Sequence, residues 1–334
     1  MKHTRSLVDY LKEFSFQRTI DSTSASLEGK DVLIYGASEA FSHVYKSYDF
    51  SNFNIIGIVD IKFKEKGLFL GHKTYSPNSI PKDLPFTLLI ATLNPESIIS
   101  FIEKDLYPKY GNFTYLSLFE DYFNRNLGIL RESVNCADPK KIILGSADTS
   151  QEGWISTDSD YLDITKGFHW SRLFDESSID NLLAEHVFEH IPLSKMEKCF
   201  ENIHKYLKKG GKFRFVVPDG NHPASYYREM TKPGGWGNGA SDHKVFFTLD
   251  LLKEIVDSDD FSLSPVEYFD GEGKFHQRKY VEDEGFVKRT ADQYPKYSGK
   301  ERLSFLDSIP SALRKQFIEN DFSYTSLFID IIKN

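Results

Sequence analysis

Apolar positions along the chain keep two rhythms. Short apolar runs closed by glycine or small polar residues predict buried strands, and apolar residues three to four apart predict amphipathic helices. The first half carries four such runs, at residues 31–35, 54–60, 86–92 and 113–119. A helix is expected over 5–19, on the spacing of Leu7, Val8, Leu11, Phe14 and Phe16, followed by a polar linker over 21–26. Residues 126–139 mix charge with turn formers and end in Asp138-Pro139, which discourages a continuing helix and marks a domain boundary. The second half repeats the strand–helix alternation. Strands are expected at 141–144, 153–158, 178–184, 212–219, 261–269 and 324–332, and helices over 195–208 and 247–256. Lys208-Lys209-Gly210-Gly211 reads as a basic last turn and a glycine stop for the first of these helices. Alternation of this kind is the signature of α/β architecture with a parallel sheet.

Composition narrows the class. A chain of 334 residues has room for about two domains. Hydrophobic content of 40% is enough for real cores. The formal net charge of -8 argues against non-specific nucleic-acid binding, and no basic stripe interleaved with aromatics runs through the sequence. Two cysteines, Cys136 and Cys199, make no disulfide framework and have no zinc-finger spacing. The first ten residues lack an apolar signal core, and no window approaches membrane-spanning length. A soluble cytoplasmic protein without a membrane span is expected. The apolar face of the N-terminal helix suits docking on a neighbouring domain, with a homodimer contact as the alternative.

Two stretches carry chemistry at predicted strand ends. In Ile142-Ile143-Leu144-Gly145-Ser146-Ala147 an apolar run breaks at a glycine, and Trp154-Ile155-Ser156-Thr157-Asp158 ends a second strand in an acid. Ligands of open α/β sheets sit outside the carboxyl ends of the strands. A glycine there admits a ligand close to the backbone, and a carboxylate can accept hydrogen bonds from ribose hydroxyls, so a nucleoside cofactor is the working expectation. Residues 31–60 have a similar plan, with Gly36 after one strand and Asp60 after the next. Only the first glycine of G-x-G-x-x-G is present, since Ser38 and Phe41 hold the other two places. A scaffold or docking role is therefore favoured over a live nucleotide site. This unit resembles the small Rossmann-like domains appended to bacterial polysaccharide-biosynthesis enzymes.

The second half resembles class I S-adenosylmethionine-dependent methyltransferases of a bacterial group associated with surface-polysaccharide genes. The words that carry the likeness are Ile143-Leu144-Gly145-Ser146, Gly153-Trp154-Ile155-Ser156-Thr157-Asp158, Ala184-Glu185-His186-Val187-Phe188-Glu189-His190, Leu207-Lys208-Lys209-Gly210-Gly211, Val217-Pro218-Asp219-Gly220, Asp242-His243-Lys244-Val245 and Tyr324-Thr325-Ser326-Leu327. The resemblance implies S-adenosylmethionine as cofactor, with Gly145, Ser146 and Ala147 around its methionine part, Asp158 on the ribose, Asp163 near the adenine, and Glu185 completing the set. It also implies transfer of a methyl to a sugar or nucleotide-sugar hydroxyl in surface-glycan assembly. The family loop usually reads Gly-x-Gly. Ala147 replaces its second glycine and is expected to lose positive φ there, weakening cofactor binding by about 1–2 kcal/mol.

Deprotonating a hydroxyl acceptor needs a base with a pKa near neutrality, which suits histidine. His186 and His222 are the preferred catalytic candidates, with His190 and His243 as further histidines near strand ends and Asp219 as the orienting or proton-accepting carboxylate. Asp242, His243 and Arg289 are candidates for the acceptor, and the glycines from Gly234 to Gly239 suit a closing lid. Lys274, His276, Arg278, Lys279, Lys288 and Arg289 form a basic cluster able to receive a pyrophosphate. His186-Val187-Phe188-Glu189-His190 also fits the H-x-x-E-H metalloprotease pattern, but Pro192 leaves too short a helix, and no metal is assigned. No G-x-S-x-G elbow supports a serine hydrolase.

The expected organisation is α/β, with two Rossmann-like doubly wound domains. An N-terminal helix and linker occupy 1–27, an accessory domain 28–128, and a methyltransferase sheet with an antiparallel C-terminal strand 139–334. The competing reading is a non-catalytic scaffold whose second domain has lost turnover.

Overall fold

The computed structural model describes residues 6–82, 85–111, 113–147, 149–237, 239–287 and 326–334. The chain is mixed α/β and divides into two compact units, Thr4–Leu130 and, apart from the first three residues, Arg131–Asn334. Among the described residues no helix is long and apolar enough to cross a membrane.

The first unit opens with α1 (Leu7–Glu13) and α2 (Phe16–Ser26) in place of one helix and a linker. Ser6 caps α1 by accepting from the Asp9 amide, and the chain leaves helical geometry at Phe14. The polar stretch 21–26 is helical because its hydroxyls bond back to the preceding turn: Thr23 to the Thr19 carbonyl at 2.7 Å, Ser24 to Asp21 at 2.9 Å, and Ser26 to Thr23 at 2.7 Å. Tyr10, Leu11, Phe16 and Ile20 join Phe41 and Phe119 in one core, so these helices belong to the body of the unit.

Then follow β1 (Asp31–Tyr35), α3 (Glu39–Ser47), β2 (Asn54–Val59), β3 (Leu68–Phe69), β4 (His72–Tyr75), β5 (Thr87–Ile90), α4 (Glu96–Phe101), α5 (Tyr107–Tyr110), β6 (Tyr115–Ser117) and α6 (Glu120–Cys136). The sheet order is β3-β4-β2-β1-β5-β6, parallel except for the β3–β4 hairpin. That hairpin turns through Leu70 and Gly71, both at positive φ. Helix α6 covers most of residues 126–139 and ends at Cys136, just before the Asp138-Pro139 pair expected to mark the boundary, and the two compact units divide inside it, between Leu130 and Arg131.

The second unit contains β7 (Lys141–Leu144), β8 (Ile155–Ser156), α7 (Gly167–Ser171), β9 (Ile179–Glu185), α8 (Met196–Tyr206), β10 (Leu207–Pro218), α9 (Ser225–Thr231), α10 (Leu249–Ile255), β11 (Phe261–Phe269), β12 (Phe275–Gln277) and β13 (Ser326–Lys333). The sheet order is β12-β11-β13-β10-β9-β7-β8. Strands β8, β7, β9 and β10 are parallel, and β13 lies antiparallel between β10 and β11. Among the described residues no helix joins β7 to β8, and turns carry the chain from β8 to α7.

Lys208-Lys209-Gly210-Gly211 does not end a helix. It bulges at the start of β10, where pairing jumps from Leu207↔Ile179 to Lys212↔Asn181 and Gly210 takes φ +75°. One face of the sheet buries Ile143, Trp154, Leu183, Val216, Val266, Val287 and Phe328. Within this sheet Arg214 on β10 stands directly across from Asp330 on β13. Arg214 is fully buried and holds Asp330 through Nε at 2.8 Å and Nη2 at 3.1 Å. Its guanidinium also donates to the Val281 and Gly285 carbonyls and lies against the rings of Tyr280 and Phe328.

Candidate functional site

The carboxyl ends of β7 and β9 open onto a cleft of about 330 Å³, lined by Gly145, Asp158, Ser159, Leu162, Asp163, Ile164, Thr165, His186, Val187, His190 and Ile191. Its floor is the turn leaving β7. Gly145 sits at φ +59°, and a Cβ there would lie 2.7 Å from Val187 Cγ2, so both backbone and space require glycine. Ser146 is buried and donates its amide to the Thr157 carbonyl at 2.8 Å.

Ala147 holds φ +45°. The expected loss of positive φ at this position does not occur; the alanine adopts the left-handed conformation despite its methyl group. Asp158 braces the turn, accepting from the Ala147 amide at 3.1 Å and the Ser159 amide at 2.8 Å. A carboxylate has about four lone-pair sites, so two remain for a ligand. Asp163 stands on the same wall. Burial alone would raise its pKa, but the Thr165 amide and hydroxyl, with Lys166, hold it below the usual value.

His186 leaves the end of β9 at φ +56°, a conformation that strains a residue with a side chain. Its Nδ1 lies 3.0 Å from Glu189 Oε1. Burial would lower its pKa, but hydrogen bonding and charge from Glu189, helped by Glu185, carry it above the ordinary histidine value. Donation from Nδ1 to Glu189 leaves the Nε2 lone pair as proton acceptor, the arrangement that orients a histidine base. Residues 188–190 form a single 3-10 turn, so no helix presents the H-x-x-E-H residues on one face. Glu189 is buried, and its role was not readable from the sequence except as a member of that pattern.

The structure does not bring His222 or Asp219 to the cleft. His222 is fully buried, stacked on Tyr227 at 4.0 Å between ring centroids and against Phe269 at 4.7 Å. Burial, with Arg228 nearby, lowers its pKa to about 4, and its Nδ1 accepts from the Ala224 amide. Asp219, also fully buried, accepts the Asn221 amide at 2.9 Å and the Phe269 amide at 2.7 Å, tying the end of β10 to the end of β11. Burial raises its pKa to about 6 against those two hydrogen bonds. Both residues fix backbone in this conformation, and neither lines the cleft. Glu185 ends β9 without lining the cleft.

Asp242 and His243 lie beside the cleft residue His190. Asp242 Oδ2 is 3.4 Å from His190 Nδ1, and the His190 and His243 ring centroids are 4.8 Å apart. The glycine-rich stretch is folded rather than open. Gly234 donates to the Ala240 carbonyl, Gly237 to Met230, and a Cβ on Gly235 would lie 2.4 Å from the Met230 carbonyl oxygen. Arg289 and Lys288 lie outside the described residues. His276 pairs with Asp270 at 2.7 Å, and Arg278 donates to Ser264 and Pro265, so these two members of the basic cluster hold the β11–β12 hairpin.

No family model and no curated protein matches the chain. Solved structures similar to it include a SAM-dependent methyltransferase from Archaeoglobus fulgidus, at 12% identity and TM-score 0.29 over 97% of this chain and 99% of that one. A geranyl diphosphate C-methyltransferase from Streptomyces coelicolor A3(2), crystallised with Mg2+, geranyl diphosphate and S-adenosyl-L-homocysteine, matches at 9% and 0.31 over 94% and 78%. Phosphoethanolamine N-methyltransferase 2 of Haemonchus contortus, in complex with S-adenosyl-L-methionine, matches at 10% and 0.27 over 93% and 52%. Likeness at this level assigns no activity, and the reading below rests on the cleft.

The first unit repeats the brace of the second. Asp60 accepts the Ala37 amide at 2.7 Å and the Lys62 amide at 3.0 Å, as Asp158 does for Ala147 and Ser159. Here the Lys62 ammonium also donates to the Ala37 carbonyl. Ser38 caps α3 by accepting from the Phe41 amide, and Phe41 is fully buried, so the two places without glycine serve helix and core.

Proposed function

We propose that the second unit binds S-adenosylmethionine at the β7–β9 cleft and transfers its methyl to an acceptor hydroxyl. One observation carries the reading: Gly145, Asp158, Asp163 and His186, selected from sequence as cofactor and base residues, line a single cleft at the carboxyl ends of two parallel strands. The residues fit the group. The turn at Gly145 keeps the backbone open to a ligand, Asp158 retains free lone pairs for ribose hydroxyls, and about 330 Å³ lies within the range of small-molecule sites. Val187 and Ile191 offer apolar surface beside Asp163, as an adenine requires.

When bound, S-adenosylmethionine supplies an electrophilic methyl on a sulfonium centre. The protein's part is to position the acceptor and take its proton. His186, oriented by Glu189, holds Nε2 ready to accept that proton, and Glu189 stabilises the imidazolium that results. A sugar or nucleotide-sugar acceptor in surface-glycan assembly, with the first unit as an accessory Rossmann-like domain, extends this reading on the strength of the sequence resemblance.

Isothermal titration calorimetry with S-adenosylmethionine tests the proposal. Binding should be detected at one site and weaken at least tenfold in Asp158→Ala. Absence of binding at millimolar ligand, or unchanged affinity in the variant, overturns it and leaves the scaffold reading. With sugar nucleotides as acceptors, His186→Ala should lower turnover about 10²-fold or more while leaving cofactor affinity within a factor of three.

A further inference from the structure

Glu189, His190 and His243 place one carboxylate oxygen and two imidazole nitrogens within 4.8 Å of one another. They come from the 3-10 turn after β9 and from the end of the glycine-rich segment, and the Lys244 amide donating to the Glu189 carbonyl at 2.6 Å joins the two. Glu189 is 1% exposed. One of its oxygens faces His186, while the other, Oε2, is buried without a hydrogen-bond partner. Leaving a carboxylate oxygen dry and unsatisfied is costly.

The histidines are oriented for the same purpose. His243 Nδ1 is 2.6 Å from the Thr231 carbonyl, which requires the proton on Nδ1 and leaves Nε2 as a lone pair, 4.0 Å from Glu189 Oε1. A backbone carbonyl fixing the far nitrogen is the usual support for a metal-ligating histidine. His190 Nδ1 is buried, with no hydrogen-bond partner, and Asp242 stands 3.4 Å away as a carboxylate within reach. Gly239, whose Cβ would lie 3.7 Å from His190 Cε1, keeps the chain close to this ring.

We propose that Glu189, His190 and His243 form a binding site for a first-row divalent transition-metal ion. Two imidazoles and a carboxylate suit Zn2+, Co2+ or Mn2+ and not the all-oxygen preference of Ca2+ or Mg2+. Three protein ligands leave a coordination position open. The site stands apart from the cofactor assignment, because none of its ligands is a residue given to S-adenosylmethionine. His190 also lines the cleft, so an ion held there would sit at the edge where an acceptor enters.

Titration of the EDTA-stripped full chain with CoCl2, read by visible absorption and followed by ZnCl2 displacement, tests the site without any turnover. One equivalent of Co2+ should bind, and Zn2+ should displace it. His190→Asn, at a ring about one-third exposed and so tolerant of replacement, should weaken binding at least tenfold, and the near-isosteric Glu189→Gln should do the same. Circular dichroism confirms that the variants are folded. Failure of the wild-type chain to take up a stoichiometric ion overturns the proposal whatever the variants do. Uptake with unchanged affinity in folded His190→Asn also overturns it, marking the ion as adventitious.

Discussion

Ala147 and His186 both hold a left-handed backbone that glycine would adopt without strain. The cost at an alanine is about 1 kcal/mol. Ala147→Gly should therefore raise the free energy of unfolding by roughly 0.5–1 kcal/mol, less the entropy of a freer unfolded chain, and a urea midpoint below wild type would contradict it. His222 gives a prediction in pH. Its folded pKa, about 4, lies below the ordinary 6.5, so the unfolded chain takes up the proton first as pH falls. Its contribution to stability is complete above 6.5 and is lost as the pH falls toward 4; Asp219, raised from 3.8 to about 6, has the opposite sign over part of that range. His222→Asn can still accept the Ala224 amide but cannot titrate there. It should reduce the stability lost between pH 7 and pH 5 by on the order of 1–2 kcal/mol, measured by urea titration at each pH. Gly145 and His186 were legible as cleft residues because a residue directly after a parallel strand has its position set by the strand, and Asp158 and Asp163 follow in the turns after β8. Asp219 and His222 follow a strand as well, yet packing by Tyr227 and Phe269 buries them, and nothing local in 219–222 announces those partners.

At the scale of elements, the pair Arg214–Asp330 decides how β10 and β13 meet. Fully buried charge is tolerated only while paired, so Arg214→Met alone should cost about 3 kcal/mol by removing the close two-point partner of Asp330 and leaving only Lys212 and Arg278, at 3.8 and 3.7 Å. Arg214→Met combined with Asp330→Leu should recover most of that loss in the same urea titration, and equal instability of single and double variants would refute the account. Strands were readable because runs such as Val32-Leu33-Ile34 or Phe215-Val216-Val217 are apolar without interruption. Helix ends were not. The break at Phe14 and the helical serines of α2 depend on which carbonyls the hydroxyls reach, and the bulge at Gly210 mimics a helix stop in sequence. The short β3–β4 hairpin carries too little apolar pattern to be seen.

At the scale of the molecule, each unit has its own sheet and its own buried cluster. Calorimetry should resolve two unfolding transitions, with S-adenosylmethionine raising only one; at a hundredfold excess over Kd the stabilisation is about 2.7 kcal/mol. A shift of both transitions together would place the ligand elsewhere or tie the units into one cooperative body. The strand–glycine–acid plan occurs once in each unit, and α6 carries the chain through their dividing point without a break.

The sheet of the second unit also imposes an order of events on a nascent chain. Strand β11 has no neighbour in the parallel set; it reaches β10 only through β13, which is made later. Glu284, 3.9 Å from the Arg214 guanidinium, is made first, but the close two-point partner Asp330 lies 116 positions downstream of Arg214. Before β13 joins it the sheet is unfinished, and the arrival of Asp330 is the step that gives its buried guanidinium a full partner.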